Sequence, residues 1–87
     1  MINLALPEFW KMYARLPEQV QALARKNYDL FRSNPEHPSL RFKPLAGHSE
    51  VYSVRIGLRY RAVALREGDT LHWFWIGSHA DFDKEFA

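Results

Sequence analysis

Cysteine is absent from this chain of 87 residues, so it can form neither disulfide staples nor thiolate metal sites, a composition that suits a reducing compartment. Histidine is sparse. His37, His48, His72 and His79 show no close ligand spacing of the HExxH kind, so we expect no zinc, no other metal and no cofactor. With only four glycines and five prolines, the chain is neither low-complexity nor disordered in character. No apolar run approaches the roughly 18 residues that a membrane span needs. The opening MINLALPEFW has no basic segment leading an apolar one, as a signal peptide would. These absences lead us to expect a soluble protein of the cytoplasm with no membrane partner.

Acidic residues are missing from one stretch in particular. Between Arg41 and Arg61 the bases are Arg41, Lys43, Arg55, Arg59 and Arg61, and the only acid is Glu50. A net charge of +2 says little by itself, because the local field decides which partners are attracted. What the chain does have is apolar substance, at 47% hydrophobic and 15% aromatic residues, enough for one core. At this length we expect a single domain, residues 1–87, that buries only about 60% of its unfolded surface and has a modest stability margin.

Ile2 to Leu6 is a short apolar lead-in able to pair as an edge strand. Pro7 suits the first turn of a helix, and Phe9, Met12, Tyr13 and Leu16 recur at helical spacing. Leu16-Pro17 breaks that helix, and Pro17 opens a second. Val20, Leu23, Ala24, Tyr28 and Phe31 make its apolar stripe, and Ser33-Asn34-Pro35 ends it. Asn34 to Ser39 is turn chemistry. Leu40, Phe42 and Leu45 alternate with Arg41 and Lys43, which predicts a strand with one basic face. Three more strands follow in Val51 to Ser78. The order predicts an α+β fold, a helical hairpin packed on a small antiparallel sheet.

The turn at Gly57 decides whether the cationic stretch forms a site. A three-residue loop, Gly57-Leu58-Arg59, sets Arg55 opposite Arg61 on one face, whereas a two-residue loop sends them to opposite faces. We expect the odd loop, because facing guanidinium groups repel unless solvated or sharing an anion, and their forks match phosphate oxygens. A turn at Glu67-Gly68 then pairs Arg61 with Phe74. It puts His72, Phe74 and Ile76 on the arginine face and Leu71, Trp73 and Trp75 against the helices. His79, just after the last strand, falls at the sheet's end and carries a ring of the kind that can give or take a proton. Arg59 at the turn suits backbone phosphate contact.

The series LPEQVQALARKNYDLFRSNPEHPSLRFKPLAG, VYSVRIGLRYRAV and WFWIGSHADFD resembles the RelE/ParE superfamily of toxins from bacterial toxin–antitoxin systems, over about Phe9 to Phe86. The most specific pieces are NPEHPSL, SVRIGLRYR and WIGSH. The resemblance implies two helices on an antiparallel sheet and, in the RelE branch, metal-independent endoribonuclease cleavage of mRNA on the ribosome, by attack of the 2′-hydroxyl on the adjacent phosphate. It implies that Arg55 and Arg61 hold the phosphate, Lys43 stands where a general base is found, and His79 where an acid is found. Arg41, His48, Arg59 and Phe82 are the expected RNA contacts. Phe82 departs from the pattern, since relatives commonly carry tyrosine there; a phenylalanine keeps base stacking but leaves the proton to His79. The resemblance also implies an antitoxin protein partner, and operator DNA only through the antitoxin complex. Two alternatives stay open: a ParE-like non-nuclease toxin inhibiting DNA gyrase, and an inactive antitoxin-binding relative.

Overall fold

In the computed structural model, which describes residues 1–86, the elements run β1 (Ile2–Ala5), α1 (Pro7–Ala14), α2 (Glu18–Ser33), a 3₁₀ turn (Pro38–Leu40), β2 (Lys43–Leu45), β3 (His48–Ile56), β4 (Tyr60–Glu67), β5 (Thr70–Ser78) and α3 (His79–Phe86). Proline punctuates the helices as expected. Leu6 is extended ahead of Pro7, and its carbonyl accepts from the Phe9 N–H at 3.0 Å. Pro17 opens α2, and the Gln21 side chain reaches back to donate to the Tyr13 and Leu16 carbonyls at 2.9 and 3.3 Å. The Tyr13 carbonyl also accepts from the Leu16 N–H at 3.1 Å, so the Gln21 amide reinforces the last turn of α1 and ties it to α2.

The strand order is β1-β5-β4-β3-β2. Four strands form the antiparallel meander, and β1 adds a fifth in parallel beside β5, so the sheet as a whole is mixed. The direction of β1 follows from what comes next: it must deliver the chain to α1, which packs over β5. The Ile2 N–H donates to the Asp69 carbonyl at 2.7 Å, and the amino terminus lies 3.6 Å from the Asp69 carboxylate. Trp73 Nε1 donates to Asn3 Oδ1 at 3.0 Å, tying the edge strand to the core.

One expected strand is shorter than its alternation suggested. Leu40 and Arg41 are not extended, because Pro38 starts a 3₁₀ turn and Arg41 caps it in the left-handed region with φ 46°. Leu40 is thereby swung wholly into the core, and pairing begins only at Lys43.

The core between sheet and helices holds Phe31, Leu40, Val54, Ile56, Ala62, Ala64, Leu71, Trp73 and Ile76. The opposite face is also covered. There Val63 and Trp75 are buried, and Phe82 and Phe86 of α3 bring their ring centroids to 6.1 and 5.3 Å from that of Trp75. Two departures from the expected β4–β5 register explain this. The turn residues are Gly68-Asp69, since Glu67 pairs with Thr70, and a bulge interrupts the ladder between Val63 and Ala64. Moving the turn preserves which face each residue takes, whereas one extra residue reverses it beyond the bulge. His72 therefore keeps its expected face opposite Leu65. Beyond Phe74, Trp75 and Gly77 join the arginine face, Ile76 turns into the core, and Arg61 pairs with Gly77 rather than Phe74.

Gly57 adopts φ +62°, and a Cβ there would stand 3.0 Å from Leu23 Cδ2. Gly57→Ala is expected to lower stability in urea unfolding by about 1–2 kcal/mol from the left-handed backbone alone. The loss should exceed that of Gly68→Ala, where φ is +60° but a Cβ meets nothing within 4 Å.

Candidate active site

The hairpin of β3 and β4 builds the site. Ile56 pairs with Tyr60, which leaves Gly57-Leu58-Arg59 as a three-residue loop, and Arg55 lies directly opposite Arg61. Both are half-buried. From α2, Asn27 Nδ2 donates to the Arg55 carbonyl at 3.2 Å, which fixes the backbone under the pair.

No carboxylate among the described residues forms an ion pair with either guanidinium. Among the described residues the ion pairs are those of the amino terminus with Asp69, His72 with Glu67, and His79 with Asp83. Arg61 Nη1 donates at 2.9 Å only to the carbonyl of its neighbour Tyr60. Arg55 Nε is buried with no partner. A buried donor left unmade costs about 1–3 kcal/mol, so this atom is poised for an acceptor from outside. The Arg61 pKa is pushed below its ordinary value, first by burial, then by the charge of Arg55, with Asp83 opposing and Arg41 adding to the depression. Arginine stays charged regardless, so the direction of the shift marks a cation in partly desolvated surroundings beside like charges.

The other expected residues divide into those the fold gathers and those it does not. Lys43 pairs with Ser53 on β3, which puts it on the arginine face, exposed, one strand outward and two residues (~7 Å) along from Arg55. Arg41 is exposed just before β2 and contributes to the field at Arg61. Arg59 is exposed at the hairpin tip, and its carbonyl accepts the His79 N–H at 2.6 Å. That bond brings the start of α3 to the arginine end of the sheet, and the exposed His79 ring with it. His48 is not gathered. It opens β3 seven residues before Arg55, roughly 23 Å away along the strand. Phe82 is half-buried against Trp75, Phe86 and the His79 ring, with centroids at 6.1, 5.3 and 6.4 Å, so its first role is to seat α3.

Three contributors escaped the sequence reading. Asp83 lies one helical turn after His79, with Oδ1 at 3.4 Å from His79 Nε2. That spacing would have been visible had HADFDKEF been read as a helix. Trp75 and Gly77 were hidden by the bulge. Among the described residues no three His, Asp or Glu side chains cluster to hold a metal.

A second opening lies on the other side of the sheet. It is an apolar cleft of about 520 Å³ between the two helices of the hairpin, floored by core residues such as Val54, Ala62 and Ile76 and rimmed by Trp10 and Tyr28. Both rim residues are exposed aromatics.

A family model described as a ParE-like toxin domain matches residues 18–84. No curated protein matches the chain. Solved structures do. The toxin fold in a RelB–RelE antitoxin–toxin complex from Methanococcus jannaschii is similar at 18% identity and TM-score 0.75, covering 97% of this chain and 99% of that one. A YoeB/ParE toxin from Agrobacterium tumefaciens is 19% identical with TM-score 0.67, over 91% and 99% of the two chains. A copper-bound mutant toxin from Helicobacter pylori is 20% identical with TM-score 0.63, over 93% and 97%.

Because Arg55 Nε lacks an internal partner and faces a like charge, Arg55→Met is expected to leave urea stability unchanged or to raise it by up to about 1 kcal/mol. Inorganic phosphate should raise the wild-type melting temperature and have little effect on the variant. A marked loss of stability would mean that the guanidinium is satisfied within the fold.

Proposed function

The chain belongs to the ParE-like toxin domain family, within the RelE/ParE toxins of toxin–antitoxin systems, and from that membership we propose that it is a metal-independent endoribonuclease that cuts messenger RNA. The observation that carries this reading is the arginine pair. Arg55 and Arg61 stand opposite each other on one face of the sheet, and among the described residues they have no carboxylate partner and the buried Arg55 Nε has no acceptor. A phosphodiester supplies the charge, the two oxygens and the bidentate geometry that two guanidinium forks accept.

In the proposed reaction the 2′-oxygen forms a bond to the adjacent phosphorus and the bond to the 5′-oxygen breaks. The products are a 2′,3′-cyclic phosphate and a 5′-hydroxyl. Charge rises on the non-bridging oxygens in the transition state, so fixed arginines aimed at them favour that state over the bound substrate. Lys43, at the edge of the same face, receives the 2′-hydroxyl proton. His79 gives a proton to the departing 5′-oxygen, a duty that Phe82 cannot share without a hydroxyl. Arg41 and Arg59 follow the flanking backbone phosphates. We place the reaction in the cytoplasm, on ribosome-bound message.

The silencing partner in this reading is an antitoxin, the kind of protein with which the Methanococcus jannaschii relative is found in complex. We propose that an apolar segment of it fills the cleft rimmed by Trp10 and Tyr28, and that operator DNA is met only through the resulting complex. Trp10→Asp, at a side chain 53% exposed and so tolerated by the fold, is expected to weaken antitoxin binding at least tenfold in calorimetry, as loss of an aromatic anchor does. Unchanged affinity would put the antitoxin elsewhere.

The family description also fits a second reading, a gyrase inhibitor on the same fold. Induction without antitoxin, followed by mapping of transcript 5′ ends, separates the two. Clustered new ends inside translated codons are expected, and in a folded Arg61→Ala variant they should fall by about 10²–10³-fold in rate. Intact transcripts accompanied by gyrase-linked DNA breaks would overturn the nuclease reading.

A further inference from the structure

Three of the four glycines, Gly47, Gly57 and Gly68, have positive φ and are explained by their turns. Gly77 lies outside that region, so its backbone makes no demand for glycine. Space does. A Cβ on Gly77 would stand 2.8 Å from Cη2 of Trp75, closer than real Cβ contacts allow, and 3.0 Å from Cζ2, which is tight. The six-membered ring of Trp75 therefore leans along β5 across the Gly77 backbone. Gly77 is the residue directly opposite Arg61.

The same indole carries α3 on its other side. Trp75 is only 9% exposed, and both aromatic rings of α3 that face the sheet, Phe82 and Phe86, rest on it. Helix α3 begins at His79, two residues after Gly77, with its first N–H bound to Arg59. The indole thus touches both Gly77, the cross-strand partner of Arg61, and the rings that seat α3, and its place exists because residue 77 has no side chain.

We propose that Trp75 and Gly77 are a positioning pair that sets the spacing between the phosphate-gripping Arg61 and the proton donor His79. The inference rests on the nuclease reading for the role of His79, and on packing alone for the spacing. A methyl group at position 77 drives the indole outward, α3 moves with it, and His79 leaves the leaving-group oxygen while the arginine pair stays on its hairpin. Binding and chemistry should therefore separate.

The test uses the full chain with an RNA oligonucleotide and, separately, inorganic phosphate. Gly77→Ala is expected to lower kcat by roughly tenfold to a hundredfold, the penalty for a displacement of about 1 Å, with KM nearly unchanged. Adding Trp75→Phe in the same chain removes the colliding ring atoms, keeps an aromatic seat for α3, and should restore most of kcat. Phosphate titration followed by NMR gives a readout independent of cleavage. In wild type both the Arg61 Nε–H and the His79 ring respond, whereas in Gly77→Ala only Arg61 does. A response of both signals in Gly77→Ala equal to wild type overturns the proposal, as does a loss of kcat that Trp75→Phe fails to rescue. If wild type cuts no RNA while the His79 response is still lost in Gly77→Ala, the spacing role stands and the nuclease reading falls. Should Gly77→Ala fail to fold, Trp75→Leu alone is decisive, because it presents no ring to Phe82 and Phe86. It must uncouple His79 from phosphate while Arg61 keeps its response, and a fully coupled His79 sinks the idea.

Discussion

Two guanidinium groups face each other across a tight hairpin, and nothing acidic among the described residues lies within ion-pair distance of either. That repulsion is a constraint the rest of the fold has to outweigh. It does so from the opposite face of the same strands. Val54 and Ile56 alternate with Arg55, and Ala62 follows Arg61, so each arginine is held in place by a neighbour buried under the helices. Burying a side chain such as Val or Ile contributes about 1.5–3 kcal/mol, which is enough to hold an unfavourable charge arrangement on a rigid strand pair. The odd-numbered loop is what makes the constraint inescapable. With a loop one residue shorter the arginines would part and the repulsion would disappear, along with the site.

A sheet with one solvated face would need nothing more, but this sheet is covered on both sides. The bulge between Val63 and Ala64 redirects β5 so that Trp73 enters the main core while Trp75 leaves it for the arginine face. A second, smaller apolar layer forms there with the aromatics of α3. It partly excludes water from the arginines, and burial leads the causes of the depressed Arg61 pKa. Desolvation strengthens the pull on an incoming anion. The strand irregularity and the electrostatics are therefore one feature of the molecule, seen once in the backbone and once in the charge.

Much of this was legible in the residues. The helices announced themselves through Pro7, Pro17 and the stripe from Val20 to Phe31, because proline geometry and helical period are local. The opposition of Arg55 and Arg61 was also legible, since loop parity alone determines it. The bulge was not. Val63 and Ala64 are ordinary strand residues, and the extra residue on β5 is chosen by how two tryptophans pack on opposite faces, which is a tertiary matter. Arg41 misled for a related reason. Alternation from Leu40 to Leu45 mimics a strand, but Pro38 had already committed the chain to a 3₁₀ turn. Helix α3 is eight residues long, too short to be stable by its own propensity, and it exists because Trp75 offers Phe82 and Phe86 a surface.

The structure divides the labour of the proposed reaction between two kinds of support. The grip on phosphate is built into a hairpin, where the register of hydrogen bonds fixes both arginines to the backbone. The proposed proton donor, His79, stands at the first residue of a short helix, joined to that hairpin by one hydrogen bond to Arg59 and by edge-on contacts of Phe82 and Phe86 with Trp75. Anion binding should therefore survive changes that displace α3, because no part of the arginine pair is supplied by it. Chemistry should not, because His79 is carried by α3 and moves with it. Similarity of fold to toxins under 25% identical speaks to the hairpin and the sheet. In the proposed reaction the spacing between grip and proton donor is set at the seam between β5 and α3, where Gly77 leaves room for the ring on which the helix rests.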